Sequence, residues 1–296
     1  MQKLGIIILN YNGDSDALDL LERVSEWKSI YSQIYYVVIQ EEDLCLDINK
    51  ENIKVIQSRQ NFGFGGNNNL GLAESIADNN DWTLLMNNDA RIEEKDVLGL
   101  LERIETLNDP KIFSVAPSLK ETFGQLTKVY VGGRDISKFM NTRIEAHEME
   151  STSLNYHEVF YNIGAIVFFK NEYLTTLGIL DENYFFSGEI ADLCYRANKN
   201  GLRSITFLDI VGSHFPENHS KRKSLYKYYS LRNRFLFIRK HALNGWLTVP
   251  FYKFLLKDIL YHILYRDFTQ IKTNLICLIH ILFRVTGNQN EKFGTS

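Results

Sequence analysis

Apolar runs of strand length alternate with stretches of helical periodicity through the first third of the chain, and this alternation leaves few folds open to it. Residues 5–9, 34–39, 53–57 and 82–86 read as strands, while residues 15–27, 68–77 and 94–107 carry apolar positions at helical spacing. Strand and helix in alternation predict an α/β chain with a mostly parallel, doubly wound central sheet. After Pro117 the pattern loosens. Residues 129–133 look like a strand entering a turn, and the polar residues 141–157 read as loop. Order returns with a strand at 164–169, a short helix at 171–177, a helix at 188–200 ending at Gly201, and a strand at 204–211. From Ser224 to about Val285 the chain reads as helical, and no internal repeat is visible.

With 296 residues, 45% of them apolar and 23% charged, the chain has material for one large α/β unit plus an appendage, and disorder is excluded. Cys45, Cys194 and Cys277 are odd in number, far apart and without a CxxC pairing, so neither a disulfide framework nor a zinc knuckle is indicated. The start, Met1-Gln2-Lys3 followed by a strand-like run, lacks the features of a secretory signal, and a cytoplasmic location is expected. The net charge of −3 conceals an asymmetry: from His219 to Lys257 there are ten lysines and arginines and no acid. That division points to an anionic partner for the last part of the chain.

Two segments carry chemistry. Leu84-Leu85-Met86-Asn87-Asn88-Asp89 is an apolar strand ending in an acid, which offers a metal ligand at the carboxyl edge where open α/β sheets bind ligands. Asn61-Phe62-Gly63-Phe64-Gly65-Gly66-Asn67-Asn68-Asn69 combines glycines, which let backbone approach a ligand, with amides that supply neutral hydrogen bonds. Its glycines do not make GxGxxG, which needs a glycine where Asn68 stands, so a dinucleotide-binding reading is disfavoured. Taken singly, these residues have plainer readings. Asp89 could cap the turn before Arg91-Ile92-Glu93-Glu94, and Asn12-Gly13 could be an ordinary strand-ending turn.

Taken together, Ile6-Ile7-Ile8-Leu9-Asn10-Tyr11-Asn12, the 61–68 segment, Asn87-Asn88-Asp89-Ala90, residues 178–186 and residues 189–196 resemble family 2 glycosyltransferases in order and spacing, particularly their rhamnosyltransferase-like branch. The resemblance runs from about Gly5 to His241. It implies a GT-A catalytic domain over residues 1–220, divided into a nucleotide-sugar-binding half, 1–117, and an acceptor-binding half, 118–220. Residues 221–296 form a basic, aromatic helical extension beyond it.

The implied reaction moves a sugar from a nucleotide diphosphate, of the dTDP-rhamnose or UDP-hexose class, to an acceptor hydroxyl with inversion, in cell-surface polysaccharide assembly. A divalent cation, Mn2+ or Mg2+, is implied beside the leaving diphosphate. Asp89 is its first candidate ligand. The family's Asp-x-Asp reads here as Asn87-Asn88-Asp89, so Asn87 would act through its amide or a water. His214 resembles the histidine that completes the metal site, with His219 a weaker candidate near Lys221 and Arg222, which could hold the diphosphate as charge-assisted donors. Asn10, Tyr11 and Asn12 resemble the residues that contact the nucleotide. The acid that usually reads the base after the second strand is replaced by Gln40.

The family's Glu-Asp-x-Asp, whose second residue is the usual base, reads here Glu189-Ile190-Ala191-Asp192. Ile190 cannot accept a proton, and Glu189 becomes the candidate base, with Asp192 beside it to act as base or to orient Arg196 at i, i+4. Loss of these acids keeps a non-catalytic sugar-nucleotide-binding protein open as the alternative. For the extension, Tyr226, Tyr229, Phe235, Phe237 and Trp246 among cations suit attachment to the inner face of the plasma membrane. A lid on the catalytic domain or a homodimer interface accounts for them equally well. The acceptor is expected to be a glycan or a lipid-linked molecule. Nucleic acid is not expected as a partner, because the cations accompany no helix-turn-helix, RRM-like or zinc pattern.

Overall fold

The computed structural model describes residues 2–11, 15–27, 33–40, 51–123, 126–149, 155–215 and 223–293. In chain order these form β1 (Leu4–Tyr11), α1 (Ser15–Ser25), β2 (Gln33–Ile39), β3 (Ile53–Ser58), α2 (Gly63–Ala77), β4 (Trp82–Met86), β5 (Ala90–Arg91) and α3 (Glu94–Leu107). There follow β6 (Ile112–Phe123), β7 (Leu126–Gly133), β8 (Arg143–Glu145), β9 (Tyr156–Val159), β10 (Ile166–Lys170), α4 (Asn171–Leu177), α5 (Glu189–Lys199) and β11 (Arg203–His214). The helices α6 (Lys223–Lys240), α7 (Val249–Leu264) and α8 (Phe268–Leu282) complete the order.

One sheet runs through the molecule in the order β3-β2-β1-β4-β10-β6-β11-β5. Its first four strands are parallel, as the alternation in sequence requires. Antiparallel β10 then enters between β4 and β6, and β11 runs parallel to β6. The second half is therefore mixed, because it is assembled from pairings far apart in sequence that local periodicity does not register. The pleat sorts side chains to two cores. Ile6, Ile8, Ile34, Tyr36, Leu84 and Met86 face α1 and α3, while Ile7, Tyr35, Val37 and Leu85 face α2, α4 and α5. Burial on both faces is why these strands read as nearly unbroken apolar runs.

The last three helices pack on one another and on residue 185, in a cluster that includes Phe185, Tyr228, Tyr229, Phe235, Phe251 and Leu255. This corrects part of the interfacial reading. Tyr229, Phe235 and Phe237 are buried, whereas Tyr226 and Trp246 are exposed. Arg232 and Arg234 are buried as well. Arg232 donates to the Tyr184 carbonyl at 2.8 Å, and Arg234 to those of Ile136 and Met140 at 2.9 Å each. Backbone carbonyls from sequence-distant loops keep these two cations inside the protein. Among the described residues, no helix is long and apolar enough to cross a membrane.

Candidate active site

At the carboxyl end of β4 the chain turns sharply. The Asn87 N–H donates to the Ala165 carbonyl at 2.9 Å, the Asn87 carbonyl accepts from the Ala90 N–H at 3.0 Å, and Asn88 Oδ1 accepts from the Asp89 N–H at 3.1 Å. Arg91 clamps the outside of the turn through the carbonyls of Asn88 and Ala90. β5 then pairs with the end of β11, with Ala90 opposite His214, and the Phe215 N–H donates to the Asp89 carbonyl at 2.8 Å. This pairing sets His214 Nε2 3.2 Å from Asp89 Oδ1, a buried oxygen with no aligned hydrogen-bond donor.

The other imidazole nitrogen, Nδ1, lies 2.7 Å from Oε1 of the fully buried Glu121, whose second oxygen accepts from Arg143. Burial opposes a charge on His214, but the two carboxylates outweigh it and push its pKa up to about 9. For Glu121, burial is likewise the largest influence and is overcome by His214 and Arg143, which hold it below the ordinary carboxylate range. Neither Glu121 nor Arg143 was legible as a site residue, since 93 residues separate Glu121 from His214. A carboxylate on the far nitrogen fixes the ring so that Nε2 can face a metal. A carboxylate and an oriented imidazole facing each other at 3.2 Å would fit a divalent cation in place of their shared proton. Among the described residues, no three His, Cys, Asp or Glu side chains form a complete cage. His219, Lys221 and Arg222 lie outside the described residues.

The asparagine-glycine segment is helical from Gly63, five residues earlier than periodicity implied. Tertiary contact explains the early start: Asn61 Oδ1 accepts from the Gly63 N–H at 2.9 Å, and the Phe185 carbonyl accepts from the Phe64 N–H at 2.7 Å. Its glycines admit neighbouring chain, where the sequence reading had them approach a ligand. A Cβ on Gly63, whose φ is +79°, would meet the Phe185 carbonyl oxygen at 2.1 Å; one on Gly66 would meet Phe62 Cβ at 2.5 Å; and one on Gly65 would lie 3.1 Å from Glu189 Cγ. The amides also serve the fold. Asn67 joins Asn61, Asn68 donates to the Phe64 carbonyl, and Asn69 pairs with both backbone groups of Leu180.

Through these contacts α2 lies against residues 180–189. Gly164 is the junction, since a Cβ there would touch Ile190 at 3.1 Å and Phe64 at 3.4 Å, and its neighbour Ala165 holds Asn87. The end of β4, the start of α2 and the start of α5 thus share one edge.

Glu189 opens α5. The turn before it is unusual, with Phe185, Ser187 and Gly188 all at positive φ, of 63°, 69° and 111°. Non-glycine residues in that region cost on the order of 1–3 kcal/mol each and persist only when their surroundings hold them. Here α6 supplies the hold: Asn233 Nδ2 reaches the carbonyls of Tyr184, Phe186 and Ser187 at 3.1, 2.8 and 2.5 Å. The Glu189 carboxyl is buried, and its Oε1 has no hydrogen-bond partner. Burial is the main reason its pKa rises to about 8, against smaller lowering effects from its own backbone N–H and from Arg232.

Asp192, one turn along, is also buried but fully engaged. It accepts from Tyr184 Oη at 3.1 Å, Arg196 Nε at 2.9 Å and Lys240 Nζ at 2.8 Å, and lies 2.8 Å from His241 Nε2. Burial alone would raise its pKa; His241 and Lys240 more than reverse that and lower it to about 2.

The nucleotide candidates lie at the same carboxyl edge of the parallel strands. Asn10 is buried and donates to Tyr36 Oη at 2.5 Å, Tyr11 is half-buried at the end of β1, and Gln40 follows β2 with its N–H on the Ser58 carbonyl. Asn12 lies outside the described residues.

A family model, Glycosyl transferase family 2, matches residues 6–172. The low-salt glycan biosynthesis hexosyltransferase Agl10 of Haloferax volcanii is 23% identical over 244 residues, which are 80% of this chain and 75% of that protein. Among solved structures, the mannosyltransferase PcManGT from Pyrobaculum calidifontis, in complex with GDP-Man and Mn2+, superimposes with a TM-score of 0.56 at 14% identity. That match covers 96% of this chain and 88% of that one. GalNAc-T7, crystallised with UDP, GalNAc and Mn2+, gives the same TM-score at 11% identity over 89% of this chain, which spans 57% of that protein. The shared architecture is GT-A.

Proposed function

Because the chain belongs to glycosyl transferase family 2 and is a glycosyltransferase, we propose that it moves a sugar from a nucleoside diphosphate to an acceptor hydroxyl with inversion, with Glu189 as the base. The observation that carries this reading is the Glu189 carboxyl: buried, with one unpartnered oxygen, and a pKa of about 8 at the edge shared with α2 and β4. A base poised near the working pH combines a useful ionised fraction with a strong pull on the proton. The acceptor oxygen bonds to the anomeric carbon as the bond to the diphosphate oxygen breaks on the opposite face, and the hydroxyl proton passes to Glu189.

Asp89 and His214 hold a divalent cation in this reading, supported by their facing each other at 3.2 Å and by the Mn2+ in two solved structures of the same fold. Such a cation, when bound, neutralises the charge that grows on the departing diphosphate. The carboxyl ends of β1 and β2, with Asn10, Tyr11, Asn12 and Gln40, take the nucleotide. Asn87 and Asn88 shape the turn that presents Asp89, and the segment from Asn61 through Gly63, Phe64, Gly66 and Asn68 braces the residues leading to the base. The donor is a UDP- or dTDP-sugar, and the acceptor a glycan or lipid-linked molecule of the cell surface.

The test is direct. Glu189→Gln leaves Mn2+-dependent donor binding, read by calorimetry, intact and reduces transfer by about 10²–10⁴-fold, the usual contribution of a general base. Asp89→Ala abolishes that binding. Transfer at the wild-type rate by Glu189→Gln would overturn the assignment of the base.

A further inference from the structure

The helices that close the chain leave an apolar surface that nothing in the fold covers. α8 buries Thr273, Asn274, Cys277 and Ile281 and turns the opposite stripe outward, with Phe268, Leu275, Ile279 and Leu282 exposed at helical spacing. α7 buries Phe251 and Leu255 and exposes Leu256, Leu260 and Leu264. The two outward faces meet at the turn between the helices, where Leu264, Tyr265 and Phe268 are 77%, 64% and 75% exposed. Monomeric proteins rarely leave so many large apolar side chains together in water.

Charge selects the occupant. Lys253, Lys257, Arg266 and Lys272 are exposed among these residues. Of the two acids of residues 249–282, only Asp258 is engaged internally; the Asp267 side chain is 42% exposed, and the exposed cations outnumber it four to one. Asp258 accepts from Lys227 and Asn274, and Asp267 caps α8 through the Gln270 N–H. At the far end of α8, Arg284 and Arg239 line a cavity of about 270 Å3 beside the exposed Phe283. A second copy of this chain docked face to face would set cation against cation across the apolar contact. An anionic bilayer offers hydrocarbon to the leucines and phosphates to the cations at once.

We propose that the α7–α8 hairpin lies in the interface of a membrane containing anionic lipid, its apolar face toward the acyl chains and its lysines and arginines on the headgroups. Tyr261 and Tyr265, each with an apolar ring and a polar tip, suit the boundary. The hairpin is amphipathic and lies on the bilayer surface; it does not cross. This holds whether or not the sugar-transfer assignments hold, because it rests on different residues and is read without donor.

The experiment is flotation of the full chain with vesicles of phosphatidylcholine alone or mixed with phosphatidylglycerol, at low and at high salt. Each basic residue near an anionic surface contributes on the order of fivefold in affinity, so the mixed vesicles at low salt are expected to bind at least about tenfold more tightly than neutral ones. Leu264→Glu with Phe268→Glu is expected to abolish flotation with no fall in melting temperature. Lys253→Glu with Lys257→Glu is expected to remove the preference for anionic lipid. The proposal is overturned if the wild type floats with neither vesicle or if the Leu264/Phe268 variant floats as well as wild type. Equally, it falls if sedimentation shows a dimer that this variant dissociates while vesicles bind neither protein.

Discussion

The buried carboxyl of Glu189 makes a prediction about stability that needs no substrate. In the folded chain it titrates at about 8 against an ordinary 4.5, with burial the largest cause. The folded state therefore holds this proton more tightly than the unfolded state does. Stability that is fully present below pH 4.5 is lost as pH rises through about 8. About three and a half units at about 1.4 kcal/mol each make that loss roughly 5 kcal/mol. Glu189→Gln removes the titration. Its amide leaves one N–H buried without a partner, at about 1–3 kcal/mol, but that cost does not vary with pH. The variant is thus expected to match the wild type or fall slightly below it near pH 5, and to exceed it by about 2–4 kcal/mol above pH 8. Urea unfolding followed by fluorescence of the buried Trp82, repeated from about pH 5 to about pH 9, reads the difference directly. Stability curves that stay parallel across that range would refute the buried-carboxyl argument, and the assignment of Glu189 as a tuned base would lose its physical basis.

Glu121→Gln is expected to weaken Mn2+ binding, measured by calorimetry, by about 10–100-fold while leaving Asp89 in place, as loss of a carboxylate behind a metal-bound imidazole does elsewhere. Asp192→Asn should lower stability by about 3–5 kcal/mol, because it leaves Lys240 and Arg196 facing a neutral amide. Below its lowered melting temperature it should lose far less transfer than the 10²–10⁴-fold expected of Glu189→Gln; an equal loss would move the base to Asp192. Asn233→Ala frees the three carbonyls of the Glu189 turn and is expected to lower kcat with little change in KM, whereas a change confined to KM would exclude a role in aiming the base.

The parallel half of the sheet could be read from sequence because each of its strands is buried on both faces and separated from the next by a helix, which leaves a local record in every segment. The position of Asp89 could be read for a related reason: a strand that ends in an acid puts that acid at the carboxyl edge of the sheet whatever the rest of the chain does. Glu121, Arg143 and Asn233 left no such record. Each gains its role from a partner that arrives through a strand or helix distant in sequence, and a glutamate near the end of β6 looks like any half-exposed strand residue until His214 is laid beside it. The cations of α6 misled for the same reason. Composition counts Arg232 and Arg234 with Lys253 and Lys257, yet the first pair ends on buried carbonyls and the second in water. Only the packing of the helix decides which cations remain for an outside partner.

That packing also distinguishes the two acids of α5. Glu189 and Asp192 are one turn apart on the same helix and equally buried, so burial alone would raise both. What separates them is α6, which brings Lys240 and His241 onto Asp192 and leaves one oxygen of Glu189 unpartnered. The result is a pair titrating near 2 and near 8, a separation of the kind that divides fixed charge from proton carrier. Asp192, a carboxylate held by four donors near pKa 2, fastens α6 to α5, the helix that carries the proposed base. The terminal helices therefore reach the start of α5 twice: through Asp192 they fix the helix, and through Asn233 they hold the strained turn from which Glu189, the proposed base, emerges.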